Sequence, residues 1–447
     1  MPVQLPMLLL TTLRPTRIRS YHSAVRRPLR VSTTILAALV ISASAFAQPA
    51  DRENSKVPEP DCSTSIGYAP VHPAEVPIKK IRLALHVFQK DDGADNFQDT
   101  PEHREYLRLV IAAANKRFRA LGRLNMGTSP YLSDARVEVV LQHIYYHPHT
   151  ADWDIPNADT AYARYVVRDA DSLGLTEDTK YNVQHVLLKG STSPGRGGRA
   201  SGIGSQGWIL IRGWYPHYLE NGPTSHTWGI YNHFIHELTH SLGLSHNFMG
   251  KHGGCDVCPD NDLPEKKCPP VGTSTNFQDY PPLGYDAPDP GFSECQLGRI
   301  HYFLSGQAGT IHRVVVPDHC SYQAEETMTI TAPDRIWTDR KMLKGDLIIE
   351  AGATLTVKCD VHIPHGGAVL VRPGGRLIVD GGSFTNLCGD TWSGIELWGV
   401  APPKETPKKK AKGPLRDASM QGQLELRNGG AIEHAPCAVS TLRPPME

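Results

Sequence analysis

The 447-residue sequence has no excess of charge of either sign, because 46 Lys and Arg residues balance 46 Asp and Glu residues. A generic nucleic-acid binder carries a basic excess, so the sequence predicts no nucleic-acid partner. Beyond the N-terminal segment it has no apolar run long enough to span a bilayer. Aromatic residues are few, at 7%, but a hydrophobic fraction of 40% is ordinary and excludes a disordered or collagen-like chain.

The N-terminal residues have the pattern of an export signal. Three arginines between positions 26 and 30 precede an apolar run, Val31 to Phe46, and Ala45-Phe46-Ala47 has the small-x-small pattern of a signal-peptidase site. We therefore expect residues 1–47 to be a signal peptide with an over-long N-terminal extension; an uncleaved anchor is the alternative. Residues 48–76 are expected to be a linker or short pro-segment. The expected location is secreted or extracellular, with the periplasm or cell surface also open, and without a stable membrane span after cleavage.

Strand and helix patterns alternate between residues 77 and 313. Apolar residues alternate with polar ones in the strand patterns and recur every three or four residues in the helix patterns. The expected strands are Ile81–Phe88, Val137–Leu141, Val183–Leu188 and Trp208–Ile211. The expected helices are Glu102–Leu121, Thr160–Ser172 and Trp228–Leu242. The pattern predicts an α+β domain over residues 77–313.

Residues 314–447 contain short apolar pairs between glycines and an internal repeat. Ile349–Val357 aligns without gaps to Val371–Val379, an offset of 22 residues, and Arg427–Ile432 resembles a third copy. A period of this length indicates stacked units, so we expect a short all-β region built as a parallel β-helix or solenoid, with a β-sandwich as the alternative. The Lys- and Pro-rich segment 402–415 is expected to be a solvated loop. A surface or glycan contact is one role considered for the repeats.

The strongest functional signal is the pattern His-Glu-x-x-His-x-x-Gly-x-x-His that begins at His236. Positions i and i+4 of a helix share one face, so His236 and His240 can reach the same ion. Gly243 permits a sharp turn that returns His246 as a third ligand. Three neutral nitrogens leave a fourth position open, as in a catalytic zinc site, and Glu237 is placed to take a proton from a zinc-activated water. A core helix with two surface histidines is the alternative for the shorter His-Glu-x-x-His match.

This extended pattern resembles that of the metzincin zinc metalloproteases, most closely bacterial pappalysin-like secreted proteases. The resemblance covers about residues 78–304, and outside the motif it rests on the order of elements. It implies a metzincin-like fold with a twisted mixed sheet above the cleft, an active-site helix and a loop-rich lower subdomain. It also implies that Trp208–Ile211 is an edge strand along which substrate binds as an added strand. The residues that it implies as zinc ligands are His236, His240 and His246, with Glu237 as the general base.

One expected feature of the family is replaced in this sequence. Metzincins place a Met in a tight turn under the zinc, often followed two residues later by Tyr. The best match here runs from Asn276 to Tyr280, with Gln278 in the Met position, because Met249 is too close to His246 to occupy that turn. In the family this Met does not bind zinc, so its replacement need not abolish metal binding. Tyr280 is a candidate catalytic residue that stabilises the oxyanion, with a core tyrosine as the alternative.

Nine cysteines are consistent with disulfides in an exported protein, and their odd number leaves at least one thiol unpaired. Cys255, Cys258 and Cys268 are expected in disulfides, with Cys295 as a partner for one of them; a second metal site is the alternative. Acidic side chains in the same loop are a candidate Ca²⁺ site, with a solvated loop as the default interpretation. Cys62 is expected in a structural disulfide rather than as a thiolate that caps the zinc.

The sequence thus predicts a secreted zinc-dependent metalloendopeptidase that hydrolyses peptide bonds in protein or peptide substrates, with one catalytic Zn²⁺. The alternative is a surface adhesin or binding protein with a degenerate metzincin domain, for which Gln278 would be the sign. A third hypothesis is a zinc amidase that acts on cell-wall peptide.

Overall fold

The computed structural model describes seven parts of the chain: residues 62, 64–126, 130–190, 197–224, 228–248, 270–399 and 421–442. Several predictions concern residues outside these parts: the signal peptide, most of the 48–76 linker, Met249, the Cys255–Cys268 loop with its candidate Ca²⁺ site, and the 402–415 loop. Among the described helices, none combines the length and the apolarity that crossing a membrane requires.

The first part of the described chain contains a five-stranded sheet. Its strands are β1 (Lys79–Gln89), β2 (Val137–Pro148), β3 (Gln184–Leu188), β4 (Gly197–Ala200) and β5 (Trp208–Arg212). The strand order is β2-β1-β3-β5-β4, and all pairs are parallel except β4 with β5. The predicted mixed sheet is confirmed. The predicted edge strand is wrong, because Trp208–Ile211 lies inside the sheet and β4 covers its outer side.

The same part of the described chain contains six α-helices. They are α1 (Pro101–Phe118), α2 (Ala158–Tyr162), α3 (Glu177–Tyr181), α4 (Trp214–Asn221), α5 (Trp228–Ser241) and α6 (Glu294–Leu304). The start of α1 is fixed by Thr100, whose side chain accepts a hydrogen bond from His103 N–H, and by Pro101 in the first turn. Ser293 and Gln296 form a reciprocal capping box at the start of α6. These local caps explain why both helices begin where they do.

The helix predicted over Thr160–Ser172 is broken. After α2 the chain forms a π-helical turn, Ala163–Arg168, and then a 3₁₀ turn, Ala170–Leu173. Consecutive side chains in the π turn belong to different apolar clusters: Tyr165 packs with Phe88, and Val166 packs with Ala170. A regular α-helix has too narrow an apolar face for both, and the wider turn brings both inward.

The two faces of the sheet have different partners. Leu83, Leu85 and Val87 of β1 belong to the main core together with Phe234 and Leu238 of α5. The alternate side chains of β1 point to the opposite face. Burial of Phe234 and Leu238 fixes the rotation of α5, so its polar histidine face turns away from the sheet.

Three hydrogen-bonded histidines cross that opposite face from strand to strand. His86 Nδ1 lies 2.9 Å from His147 Nε2, and His86 Nε2 lies 2.9 Å from His185 Nδ1. His185 Nε2–H donates to Lys180 O at 3.1 Å, which assigns every ring in this histidine chain its Nε2–H tautomer. All three rings are buried. All three hydrogen bonds of this histidine chain can therefore form when each ring is neutral.

The second part of the described chain contains three further sheets in which every pair is parallel. Each strand pairs with the strand three positions later, as Leu347 in β9, Val369 in β12 and Ile395 in β15 show. The β-sandwich alternative is wrong, because sandwich sheets are antiparallel. The strands are β6 (Met328–Ile330), β7 (Arg335–Trp337), β8 (Lys341–Met342), β9 (Leu347–Ile349), β10 (Thr354–Val357), β11 (Val361–His362), β12 (Val369–Val371), β13 (Arg376–Asp380), β14 (Ser383–Thr385), β15 (Ile395–Trp398), β16 (Gln423–Arg427), β17 (Ala431–Ile432) and β18 (Val439–Leu442).

The sequence repeat corresponds to the strand register for its first two copies. Leu355 pairs with Leu377, which is the predicted offset of 22 residues. The third copy was aligned wrongly, because Ser383 pairs with Ala431, so Gly429-Gly430 stands beside Gly381-Gly382. Two different corners use a Gly-Gly pair for the same reason: a Cβ on Gly375 would lie 2.8 Å from Ile349 O, and a Cβ on Gly382 or Gly430 would lie within 2.5 Å of a neighbouring backbone oxygen.

Two disulfides hold the parallel sheets to other segments. Cys62 bonds Cys359, 297 residues away, and Cys320 bonds Cys388. The expected disulfide of Cys62 is confirmed, and the alternative of a zinc-capping thiolate is wrong. Cys295 is also disulfide-bonded, and Cys437 has a free, exposed thiol. The prediction of disulfides with at least one unpaired cysteine is confirmed.

Candidate metal centre

The first two histidines of the motif lie one turn apart on α5. His236 Nδ1–H donates to Phe277 O at 2.6 Å, and His240 Nδ1–H donates to Leu244 O at 2.9 Å. Each hydrogen bond places the proton on Nδ1 and leaves a lone pair on Nε2. Both Nε2 atoms are therefore in the form that binds a metal ion.

The third histidine is delivered by the turn that ends α5. Leu244 N–H donates to Thr239 O, and Gly243 has a φ of 108°, a conformation that side chains disfavour. A Cβ at Gly243 would also lie 2.5 Å from the ring of Phe303. Glycine is required here for both reasons, and the turn brings His246 back over the helix.

The three imidazoles converge at one point. His246 Nε2 lies 3.2 Å from His240 Nε2 and 3.3 Å from His236 Nε2. Two zinc–nitrogen bonds of about 2.0–2.1 Å at a tetrahedral angle span about 3.3 Å, so these distances fit a tetrahedral ion. The Nε2 atoms of His236 and His240 both carry lone pairs, and all three ligand atoms lie within 4.8 Å of one another, so one cation can bind all three. The donor set fits zinc.

Two of the imidazoles, His236 and His246, are also held in their neutral form. Burial lowers the pKa of His236 well below its usual value, and burial lowers the pKa of His246 to about 4. A neutral ring is the ligand form, so no proton has to leave these side chains before a metal binds.

The segment in the Met-turn position packs directly under α5. Gln278 is fully buried, and its amide N–H groups donate to His236 O at 3.1 Å and to Thr239 Oγ1 at 2.6 Å. The neighbouring Phe277 supplies the carbonyl that orients His236. Gln278, which the sequence resemblance aligns with a Met, therefore supports the helix through hydrogen bonds.

Replacement of Gln278 by Met tests that support. The variant keeps the side-chain length but removes both amide donors, so we expect the free energy of unfolding to fall by about 1–3 kcal/mol. Bound zinc should remain at one equivalent, because no Gln278 atom contacts an imidazole nitrogen. Urea unfolding and metal analysis measure the two quantities. A variant as stable as wild type would show that these hydrogen bonds add nothing.

Glu237 lies beside the three histidines, and its position is fixed from two sides. Its carboxylate is 3.5 Å from His233 Nε2, one turn earlier on α5, and its side chain is 95% buried, with only 5% exposed. On the other side β4 passes so closely that a Cβ on Gly198 would lie 2.6 Å from the Glu237 carboxylate carbon. From the sequence, His233 is expected to be a helix residue or a hydrogen-bond donor behind the ligands rather than a ligand, and its i, i+4 spacing places it beside Glu237. Gly198 was missed, because it had no local signal.

Tyr280 borders the same site. Its ring packs edge-on against His246, with centroids 4.7 Å apart, and lies 4.9 Å from the ring of Phe248. It is 39% exposed, so the alternative of a core tyrosine is wrong. Burial and then the charge of Glu237 raise the pKa of its hydroxyl, which keeps the hydroxyl protonated and able to donate a hydrogen bond.

Two open cavities of about 400 Å³ each meet at Glu237. Ala200, Ile203 and His240 line one of them, and His233, Pro281 and Tyr285 line the other. Gly198 of β4 borders both cavities, so β4 is the strand that runs along the cleft.

A second group of metal-ligand types occurs among the described residues, at His319, His362 and Cys388. The sulfur of Cys388 is already bonded to Cys320, and His362 uses one nitrogen to donate to His319 O and the other to accept from Leu387 N–H. The Cys388 sulfur and both His362 nitrogens therefore already have partners within the chain. The three motif histidines instead direct their Nε2 atoms at one point.

Comparison with solved structures finds a likeness to mature mirolysin from Tannerella forsythia in complex with a cleaved peptide, at 15% identity and a TM-score of 0.34, over 53% of this chain and 95% of that one. Mirolysin in complex with compound 9 matches at 14% identity and a TM-score of 0.34, over 54% of this chain and 97% of that one. No family model and no curated protein matches. At these values the likeness carries no argument, and the interpretation of the site rests on its own geometry.

Proposed function

We propose that the chain is an exported zinc metalloendopeptidase of the metzincin type, similar in its motif to pappalysin-like secreted proteases. The observation that carries the proposal is the convergence of three imidazole Nε2 atoms at tetrahedral spacing beside the buried carboxylate of Glu237. The disulfides support export, because disulfides persist in oxidising compartments.

Each residue of the site has a distinct role in this proposal. His236, His240 and His246 would hold the zinc ion, which when bound supplies Lewis-acid chemistry and lowers the pKa of water. Glu237 accepts a proton from the attacking water at its carboxylate and delivers it to the leaving amine. His233 is a positioning residue that keeps this carboxylate in place.

The shape of the cleft supports an extended peptide substrate. β4 is an edge strand of the sheet and pairs with β5 on one side. Edge strands bind peptides as an added strand through main-chain hydrogen bonds. Because cavities lie on both sides of Glu237, substrate residues fit on both sides of the cleaved bond, which favours endopeptidase over exopeptidase action.

Tyr280→Phe tests whether the hydroxyl stabilises the oxyanion. The substitution removes only the donor, so we expect kcat to fall about 10²-fold while KM and zinc content stay unchanged. Tyr181→Phe, at an exposed tyrosine of α3, serves as the matched control and should retain wild-type kcat. An unchanged kcat in Tyr280→Phe would assign this residue to substrate packing alone.

The proposed activity is tested with the purified full chain on casein and gelatin. Cleavage should stop when zinc is removed by a chelator and return when one equivalent of zinc is restored. Stoichiometric zinc without cleavage would instead favour the adhesin or binding protein. The sign considered for that alternative was Gln278, but this residue is buried and bonded to α5, so it does not indicate a damaged site.

For the second part of the chain, we propose that the three parallel sheets are the faces of a short parallel β-helix. The support is the pairing of each strand with the strand three positions later, which places one strand of each coil in each sheet. Such a region provides a spacer or a contact surface for the protease.

A further inference from the structure

A small cavity of about 20 Å³ lies between the first sheet and the start of the parallel sheets. It is lined by Lys79 at the start of β1, by His301 and Ser305 around the end of α6, and by residues between Asp318 and Lys344. A volume of this size holds a single small guest.

The charges around this cavity are paired, with one exception. Lys341 Nζ lies 3.1 Å from Asp339, and Lys344 Nζ lies 2.8 Å from Asp318, which also pairs with Lys80 at 3.2 Å. The side chain of Arg340 pairs outward with Asp360 at 3.1 Å. Both lining carboxylates are thus already bound to lysines.

Lys79 is the exception. It is buried, with only 9% exposed, and its ammonium forms no hydrogen bond or ion pair within the described chain, although the charge of Asp339, which pairs with Lys341, also favours the protonated form of Lys79. Burial lowers its pKa to about 8, which still leaves the ammonium mostly protonated at neutral pH. A buried ammonium without a partner destabilises the folded state. The Lys79 charge therefore favours the binding of one negatively charged ion beside it.

A second buried donor lies in the same cavity. Ser305 Oγ is buried and has no hydrogen-bond partner within the described residues. His301 donates through Nε2–H to Ala135 O at 2.8 Å, so its Nδ1 carries a lone pair and suits a water or the ammonium, not an anion. The donors available to an anion are therefore Lys79 and Ser305.

We propose that one monovalent anion of chloride size binds in this cavity, held by the Lys79 ammonium and the Ser305 hydroxyl. The lining carboxylates Asp318 and Asp339 are each already paired with lysine, so the unpaired Lys79 charge favours a monovalent anion, and a volume of about 20 Å³ favours an ion of chloride size. The site joins the first sheet to the parallel sheets, so the bound anion stabilises the folded chain. This proposal is independent of the proposed peptidase activity.

The test is thermal unfolding of the full chain in chloride, bromide or gluconate at constant ionic strength. Excess chelator removes zinc, so that halide binding to zinc does not contribute to the result. We expect the Tm to rise by about 2–5 °C over a hundredfold increase in chloride or bromide, and not with gluconate. Lys79→Met should abolish this response and, without chloride, should be at least as stable as wild type. Lys80→Met is the matched control and should respond as wild type does.

³⁵Cl NMR line width provides a second measurement that does not depend on stability. Wild type and Lys80→Met should broaden the chloride signal, and Ser305→Ala should broaden it less. If Lys79→Met fails to fold, the Ser305→Ala comparison still decides the question. An equal Tm rise in gluconate, an undiminished response in Lys79→Met, or no excess broadening by wild type would mean that the cavity holds only water, and would overturn the proposal.

Discussion

Glu237→Gln is expected to lower kcat/KM for peptide hydrolysis by about 10²–10⁴-fold while the chain keeps one equivalent of zinc. Glutamine has the size of glutamate, so the contacts with His233 and Gly198 remain sterically possible. What disappears is the basic oxygen that accepts the proton of water. Because Glu237 is not placed as a metal ligand, metal affinity should change little.

The control for this experiment is Glu220→Gln, an exposed glutamate in α4 that lies outside both cavities of the cleft. It should hydrolyse peptides at the wild-type rate. Initial rates on a fluorogenic peptide library, with zinc content measured on the same samples, separate chemistry from metal loss. Activity of Glu237→Gln within tenfold of wild type would exclude Glu237 as the general base.

Acidification is expected to destabilise the fold strongly through the histidine chain His86, His147 and His185. Burial lowers the pKa of His147 and of His185 to about 4, whereas an unfolded histidine titrates near 6.5. Between these pH values the unfolded state binds more protons than the folded state, so stability falls as the pH falls. For His147 and His185 the contribution is fully present above pH ~6.5 and lost by pH ~4, at about 3 kcal/mol for each of these two rings.

Urea unfolding at pH 7 and at pH 4.5, with a chelator present and the disulfides intact, measures this dependence. Other buried histidines also contribute to the acid loss in wild type, so the informative quantity is the difference between variants. His147→Gln and His185→Gln should each have a shallower dependence of unfolding free energy on pH, whatever their stability at pH 7. His72→Gln, at an exposed position, should have the wild-type slope. Equal pH dependences of the unfolding free energy in all variants would show that the histidine chain does not cause the acid destabilisation.

The sequence allowed the convergence of the three histidines to be predicted because its parts are local. Helical spacing places His236 and His240 on one face, and Gly243 returns His246 within a few residues. The orienting carbonyl of Phe277 comes from a segment 41 residues away in sequence, and no local pattern encodes that contact.

The errors have the same origin. The edge position of Trp208–Ile211 was taken from the family resemblance, and β4 was not predicted because it is Gly-rich and its strand character comes from pairing with β5. The third repeat was displaced because Gly-Gly corners are alike, and only long-range register distinguishes them. The histidine chain joins three strands that are far apart in sequence, so its hydrogen bonds could not be read from any one segment.

The central claim is that three imidazoles bind one zinc ion, and zinc K-edge X-ray absorption on the full chain with one equivalent of zinc tests it most directly. We expect three nitrogen ligands at about 2.0–2.1 Å, and loss of one of them, with weaker binding, in His246→Ala. Zinc that dialyses away freely, or a spectrum dominated by sulfur at about 2.3 Å, would contradict the claim, because the ion would then be unbound or held by cysteines.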